Sequence, residues 1–205
     1  MAVARTYTAS MIGLKPIQIE VEVDANRGTP NLIIIGLPAK AVDEAKERIT
    51  ATLLNCGIRI RSKRTIVNLA PADIRKTSSS LDLAIIIAIL KMYQEVELDT
   101  TKTMFFGELA LDGQLKPIKG LLPLVLAARD LGFKQVVFPA ANSSEVKIIS
   151  DIKLHPIKHL KDYLAYAWEQ QPLPVLKSQG FQPQPAKDFL VDFANVHGQE
   201  QAKRA

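Results

Sequence analysis

Between residues 17 and 23 apolar and polar side chains alternate without a break: Ile17, Ile19, Val21 and Val23 against Gln18, Glu20 and Glu22. A period of two is the mark of a β-strand with one dry and one wet face, so the chain must build a sheet and something to cover it. Tyr7 to Leu14 is a second extended run, separated from the first by Lys15-Pro16, and Asn26-Arg27-Gly28 is a loop. Asn31 to Gly36 is apolar enough to predict a fully buried strand. From Ala39 to Asn55 the spacing changes: Val42, Ala45, Ile49, Leu53 and Leu54 recur at helical intervals, and Gly57 stops the helix.

The remainder repeats this alternation of strand and helix. Thr65 to Pro71 reads as a strand, Ala72 to Ser80 as a polar loop, and Leu81 to Met92 as an apolar helix. Met104–Leu111 and Gln114–Ile118 flank Asp112-Gly113, a strong hairpin signal. A helix from Leu121 to Leu131, a strand at Gln135–Pro139, a short helix at Ser143–Ile149, an edge strand at Lys153–Pro156 and a last helix at Leu160–Glu169 follow. The fold class is therefore α/β, a mixed sheet with packed helices. Pro172, Pro174, Pro183 and Pro185 mark residues 170–190 as a flexible linker. Residues 1–169 form the main domain, and residues 191–205 are expected to open a second.

Composition narrows the function classes. At 205 residues, 47% hydrophobic and 23% charged, the chain has the balance of a globular protein with a real core. Its longest apolar stretch, Leu81 to Leu90 with Asp82 inside, is too short to cross a bilayer, so no membrane partner is expected. One cysteine, Cys56, rules out an internal disulfide framework and fits a reducing cytoplasm. The charge of +5 permits a nucleic-acid partner without requiring one. Arg59, Arg61, Lys63 and Arg64 form the densest basic run, and Arg75 and Lys76 follow one strand later. These six are the candidate phosphate contacts, with the strand between them placing the two groups at opposite ends. Few aromatics accompany them, so base stacking is not indicated. His155, His159 and His197 lack metal-ligand spacing, and no metal site is expected. No Gly-x4-Gly-Lys-Ser/Thr run occurs, so the chain carries no phosphate-binding loop of its own.

The stretch Phe106-Gly107-Glu108-Leu109-Ala110-Leu111-Asp112-Gly113-Gln114-Leu115-Lys116-Pro117-Ile118-Lys119-Gly120-Leu121, followed by Ala127-Ala128, resembles the central motif of the Lon-type proteolytic domain. The likeness continues through Gln135–Pro139, Asn142 and His155-Pro156-Ile157. Over the whole chain, Gly36-Leu37-Pro38, Asn68 to Asp73, Leu81-Asp82-Leu83 and Gly198-Gln199 resemble the ComM-type family, also called YifB or magnesium-chelatase-like. That resemblance implies a Lon-proteolytic-domain-like fold, also described as ribosomal-protein-S5-domain-2-like. It implies that this domain stands ahead of an AAA+ module, which would hold ATP and Mg2+, so that no cofactor belongs to this chain. It further implies a hexamer whose subunits neighbour one another and a motor acting on branched DNA during recombination of incoming DNA.

The Lon-type resemblance also implies a serine nucleophile with a lysine general base. Aligned on the motif, Ser80 takes the serine position, while Leu122 takes the lysine position. An isobutyl group cannot accept a proton, so the dyad is incomplete and no catalytic residue is assigned. Lys119 and Lys116 precede the Gly120-Leu121 turn and would point elsewhere. Ser78, Ser79 and Ser80 are expected to act as helix N-caps. A Ser-Lys peptidase and a porphyrin metal-insertion role are the alternatives. The first is disfavoured by Leu122, and the second has no ligand cluster to support it.

Overall fold

The computed structural model describes residues 3–13, 15–36, 39–58, 64–71, 79–94, 96, 99–180 and 196–204. Strands β1 (Ala4–Ile12) and β2 (Lys15–Asn26) pair antiparallel from Ala4↔Val23 to Ile12↔Lys15. Lys15 and Pro16 thus open β2 instead of separating two runs, and Gly13, with φ of 59°, lies in the turn. A proline is tolerated there because the start of a strand has the fewest ladder bonds to lose. The alternation of β2 is realised: Ile19, Val21 and Val23 are fully buried.

β2 continues antiparallel to β4 (Arg64–Ala70), which pairs parallel with β3 (Asn31–Ile35). On its other side β1 runs parallel to β5 (Thr103–Phe105), then come β8 (Gln135–Pro139) and β9 (Lys153–Ile157), also parallel. The order is β3-β4-β2-β1-β5-β8-β9, a seven-stranded mixed sheet, as the α/β expectation requires. The Asp112-Gly113 hairpin forms, but only as a short separate ribbon of β6 (Glu108–Leu109) and β7 (Leu115–Lys116). The longer run splits because Met104 and Phe105 belong to the main sheet, and the chain leaves it at Phe106-Gly107.

β3 is not fully buried. It is an edge strand with Leu32 and Ile34 inside and Ile35 49% exposed, because α1 (Ala39–Asn55) covers one face only. That helix ends where expected: Gly57 N–H donates to Leu54 O and Ile58 N–H to Leu53 O, with Gly57 at φ of 81°. Ala45, Ile49 and Leu53 face inward, while Leu54 is 60% exposed. Helix α2 (Asp82–Met92) is buried from Asp82 to Leu90, wedged among β1, β2, α1 and β6.

The sheet separates two cores. The first holds α1, α2 and α5 (Leu160–Glu169) over Val21, Val23, Phe105 and Val137. The second holds α3 (Leu121–Asp130) and α4 (Ser143–Val146) over Ala9, Met104, Val136 and Phe138. Neighbouring residues such as Met104 and Phe105 enter opposite cores because a strand alternates its side chains.

Residues 170–180 contain no helix or strand, as the prolines dictate, but they are not a free tether. Leu176 N–H donates to Leu154 O at 2.8 Å on the outer edge of β9, and Gln179 N–H donates to Lys147 O at 2.9 Å. Leu173 and Leu176 pack on the two cores. Prolines forbid regular structure, yet a sheet edge can still be covered by an irregular strap. Residues 181–195 lie outside the described residues, and α6 (Glu200–Lys203) is an exposed single turn.

Candidate functional site

Ser80 sits in a 3-10 turn (Ser79–Leu81) leading into α2 and is 3% exposed. Its carbonyl accepts from Gly107 N–H at 2.9 Å, and Gly107 O accepts from Leu83 N–H at 3.1 Å. This reciprocal pair ties the serine segment to the Gly107-Glu108 motif. The capping expectation is corrected for Ser80: the N-cap of α2 is Leu81, with no side-chain hydrogen bond. Ser78 lies outside the described residues. An extra 3-10 turn moves the serine out of the capping position, and the acid at the helix start is Asp82.

Asp82 is 2% exposed and heavily bonded. Arg48, reaching from α1, donates Nε to Oδ2 at 3.0 Å and Nη2 to Oδ1 at 3.2 Å, and Leu109 N–H donates to Oδ2 at 3.3 Å. Burial pushes the Asp82 carboxyl above its ordinary value, while the Arg48 guanidinium and the Leu109 amide pull it back. Asp82 in turn raises Arg48. One bidentate pair therefore joins α1, α2 and the β6-β7 ribbon. Beside it a shallow groove of about 460 Å³ is lined by Arg48, Glu108, Asp112 and Lys116.

Leu122 is the second residue of α3, after Gly120 at φ of 71°. Its side chain packs against the second core, and its N–H donates to Glu145 Oε1 at 2.9 Å. Glu145 also accepts from Asn142 Nδ2 at 3.1 Å. Asn142 closes both polar groups of Ile118, accepting from its N–H at 3.1 Å and donating to its carbonyl at 2.7 Å. The turn where a lysine base would stand is thus built around an aliphatic side chain and a carboxylate holding the helix start. Lys116 and Lys119 are exposed.

Of the six basic candidates, Arg64 is described: exposed at the start of β4, opposite Asn26 and Asn31. Arg59, Arg61, Lys63, Arg75 and Lys76 lie outside the described residues. β4 itself, which starts at Arg64, is seven residues long, roughly 20 Å at about 3.3 Å per residue. His155 and His159 have structural roles. His155 is buried; its Nδ1 donates to Pro174 O at 3.0 Å, and its Nε2 lies 3.0 Å from Gln135 Oε1. His159 is the N-cap of α5, accepting from Lys161 N–H, while Asp162 accepts from His159 N–H.

A cationic row escaped the sequence reading. Lys102, Lys134 and Lys153 stand at the starts of β5, β8 and β9, all exposed. Lys134 N–H donates to Lys102 O at 2.8 Å and Lys153 N–H to Lys134 O at 3.0 Å, so the three backbones are direct neighbours. They are scattered over fifty residues of sequence. The available signal was a lysine at the mouth of each of three strands, which parallel pairing brings together.

The chain matches the family model described as subunit ChlI of Mg-chelatase over residues 21–142. It is 31% identical to competence protein ComM of Haemophilus influenzae, a match covering 100% of this chain and 41% of that protein. DNA repair protein RadA of Bacillus subtilis is 26% identical over 67% of this chain and 30% of its own length. Lon protease of Erwinia amylovora is 37% identical, over only 32% of this chain and 9% of its own. The chain spans about 40% of the length of the curated relatives that match all of it. A model match across more than half of its residues, on a mixed α/β sheet, places the chain in the magnesium-chelatase ChlI family, with ComM-like similarity along its whole length.

Proposed function

We propose that the chain is a non-catalytic amino-terminal domain of a ComM-type AAA+ ATPase that drives branch migration of DNA during recombination of incoming DNA. The observation that carries this reading is Leu122. The position at which Lon-type chemistry needs an amine is filled by an aliphatic side chain packed against a core, on a turn held by Asn142 and Glu145. Likeness to ComM along the entire chain, and to a DNA repair protein along two thirds of it, supports a DNA-directed motor over a peptidase.

The sequence has no phosphate-binding loop, so ATP and Mg2+ are assigned to a separate module. The partners of this domain are then that module and neighbouring subunits of a hexamer in the cytoplasm. The docked strap at 170–180 would deliver the following chain from a fixed point on β9. Candidate DNA contacts include the basic run from Arg59 to Arg64.

The whole gene product should hydrolyse ATP faster with a four-way DNA junction and move that junction, while leaving an unfolded polypeptide uncut. Polypeptide cleavage that disappears with Ser80→Ala would establish the peptidase instead. Absence of ATP-driven junction movement would refute the motor reading.

A further inference from the structure

We propose that the row formed by Lys102, Lys134 and Lys153 is a binding surface for the phosphate backbone of nucleic acid, at the end of the sheet where β5, β8 and β9 begin. This inference rests on the DNA-directed reading above and gives it a place on the molecule.

Adjacent strands lie about 4.8 Å apart, so the three backbone positions span roughly 10 Å, with Lys153 in register with Gln135, one residue on from Lys134. Among the described residues the ion pairs join Arg5 to Glu20 and Glu22, Arg48 to Asp82, Arg129 to Asp130 and Lys203 to Glu200, and none of them takes one of the three lysines. Two acids flank the row. Asp99 is held low first by hydrogen bonds from Thr101, then by Lys91 and Lys102. Asp151 shares a groove with Lys134 and Lys153, where its Oδ1 accepts from the Ser150 hydroxyl at 3.0 Å. Three lysines against two acids leave this edge net positive, and a phosphate backbone would add counter-charge there.

The surface also has relief. A groove of about 560 Å³ runs between residues 149–154 and the strap, with Lys134 and Lys153 joined by Ser150 and Ser178. Hydroxyls and ammonium groups are the donors that contact phosphate and sugar. Lys177, exposed next to Leu176 on the strap, extends the charge beyond β9. No aromatic side chain lines the groove, so the contact is to phosphates and carries no base preference. Anionic membrane is disfavoured, because these lysines stand on strand ends and lack the amphipathic helix such binding uses.

The test is fluorescence anisotropy of the 205-residue chain with labelled single-stranded and forked DNA across a salt series. Lys102→Glu, Lys134→Glu and Lys153→Glu together should weaken binding about tenfold or more. Three lost phosphate contacts should flatten the single-strand log–log salt slope by about 2, at about 0.7 per contact. The corresponding Lys→Gln variant removes charge without adding repulsion and should show the same flattening. Wild-type binding and slope in both variants would overturn the proposal. So would a loss confined to reversal of Arg59, Arg61, Lys63 and Arg64, or tighter binding to phosphatidylserine vesicles than to DNA, or no DNA binding by the wild type. Junction movement by the whole gene product is read separately, so a motor that works without this row leaves the functional reading standing and removes only the row.

Discussion

Two groups of charges in this molecule are arranged in opposite ways. At one end of α2, Asp82 is buried, matched by the partly buried Arg48 through two hydrogen bonds and tied to Leu109. At the mouths of β5, β8 and β9, Lys102, Lys134 and Lys153 stay in water, side by side and without a pair among the described residues. A buried charge is tolerated only with its partner, so the first group is committed to folding. An exposed row of one sign contributes nothing to folding and is available to something outside. The contrast separates charges paired within the fold from charges left to solvent in a single domain.

The largest expected effect is at the first group. Arg48→Leu should cost about 3–5 kcal/mol in denaturant unfolding, because it leaves Asp82 buried and uncompensated. Without the guanidinium the Asp82 folded pKa rises further above its unfolded value. The sign is then fixed: the stability that Asp82 contributes is full below the unfolded pKa and is lost as pH rises through the folded one. The variant should therefore look least impaired in acid and most impaired near neutrality. Arg48→Leu with Asp82→Leu should recover much of the loss; a double variant as weak as the single one would break the account of this pair.

Gly113→Ala tests how the ribbon beside that pair is held. A Cβ there would meet His159 Cε1 at 2.7 Å and Cys56 Sγ at 2.8 Å, at φ of 95°. We expect a loss of about 2 kcal/mol by thermal or chemical unfolding, from strain at positive φ plus the clash. A change below about 0.5 kcal/mol would show that the β6-β7 turn can move away from α1 and α5.

A smaller effect is expected at the strap. Burial lowers the His155 pKa, against the hydrogen bond to Pro174 O. A depressed histidine contributes stability above its unfolded pKa, about 6.5, and loses it as pH falls. Amide exchange at Leu176 should therefore accelerate below about pH 6.5, by roughly fivefold for about 1 kcal/mol of lost contact. Exchange independent of pH, after correction for intrinsic rates, would show that His155 does not hold the strap. Smallest of all, replacing the three lysines by glutamine should move stability by no more than about 0.5 kcal/mol.

Much of this fold can be read along the chain because its signals are local. The alternation of β2 needs only nearest neighbours, and the Gly57 stop to α1 is written within one turn. The expectation of an incomplete dyad needs residue identity alone, Leu122 at the position where the Lon-type resemblance implies a lysine. What escaped depends on neighbours distant in sequence. Ile35 looks buried until β3 is known to be an edge, and Ser80 looks like a cap until a 3-10 turn displaces it. The prolines at 172 and 174 announce irregular backbone but not that His155 binds it. The lysine row is the clearest instance. Each member is an ordinary surface lysine in its own segment, and only the parallel pairing of β5, β8 and β9 brings their backbones together.

The contrast between the two groups of charges is tested most directly by one paired measurement on a single preparation of the Lys102→Gln, Lys134→Gln, Lys153→Gln chain. Its unfolding midpoint and its affinity for labelled single-stranded DNA are read side by side against wild type. The expected result is an unchanged midpoint with affinity down about tenfold and a shallower salt slope. Wild-type affinity at an unchanged midpoint would contradict the account.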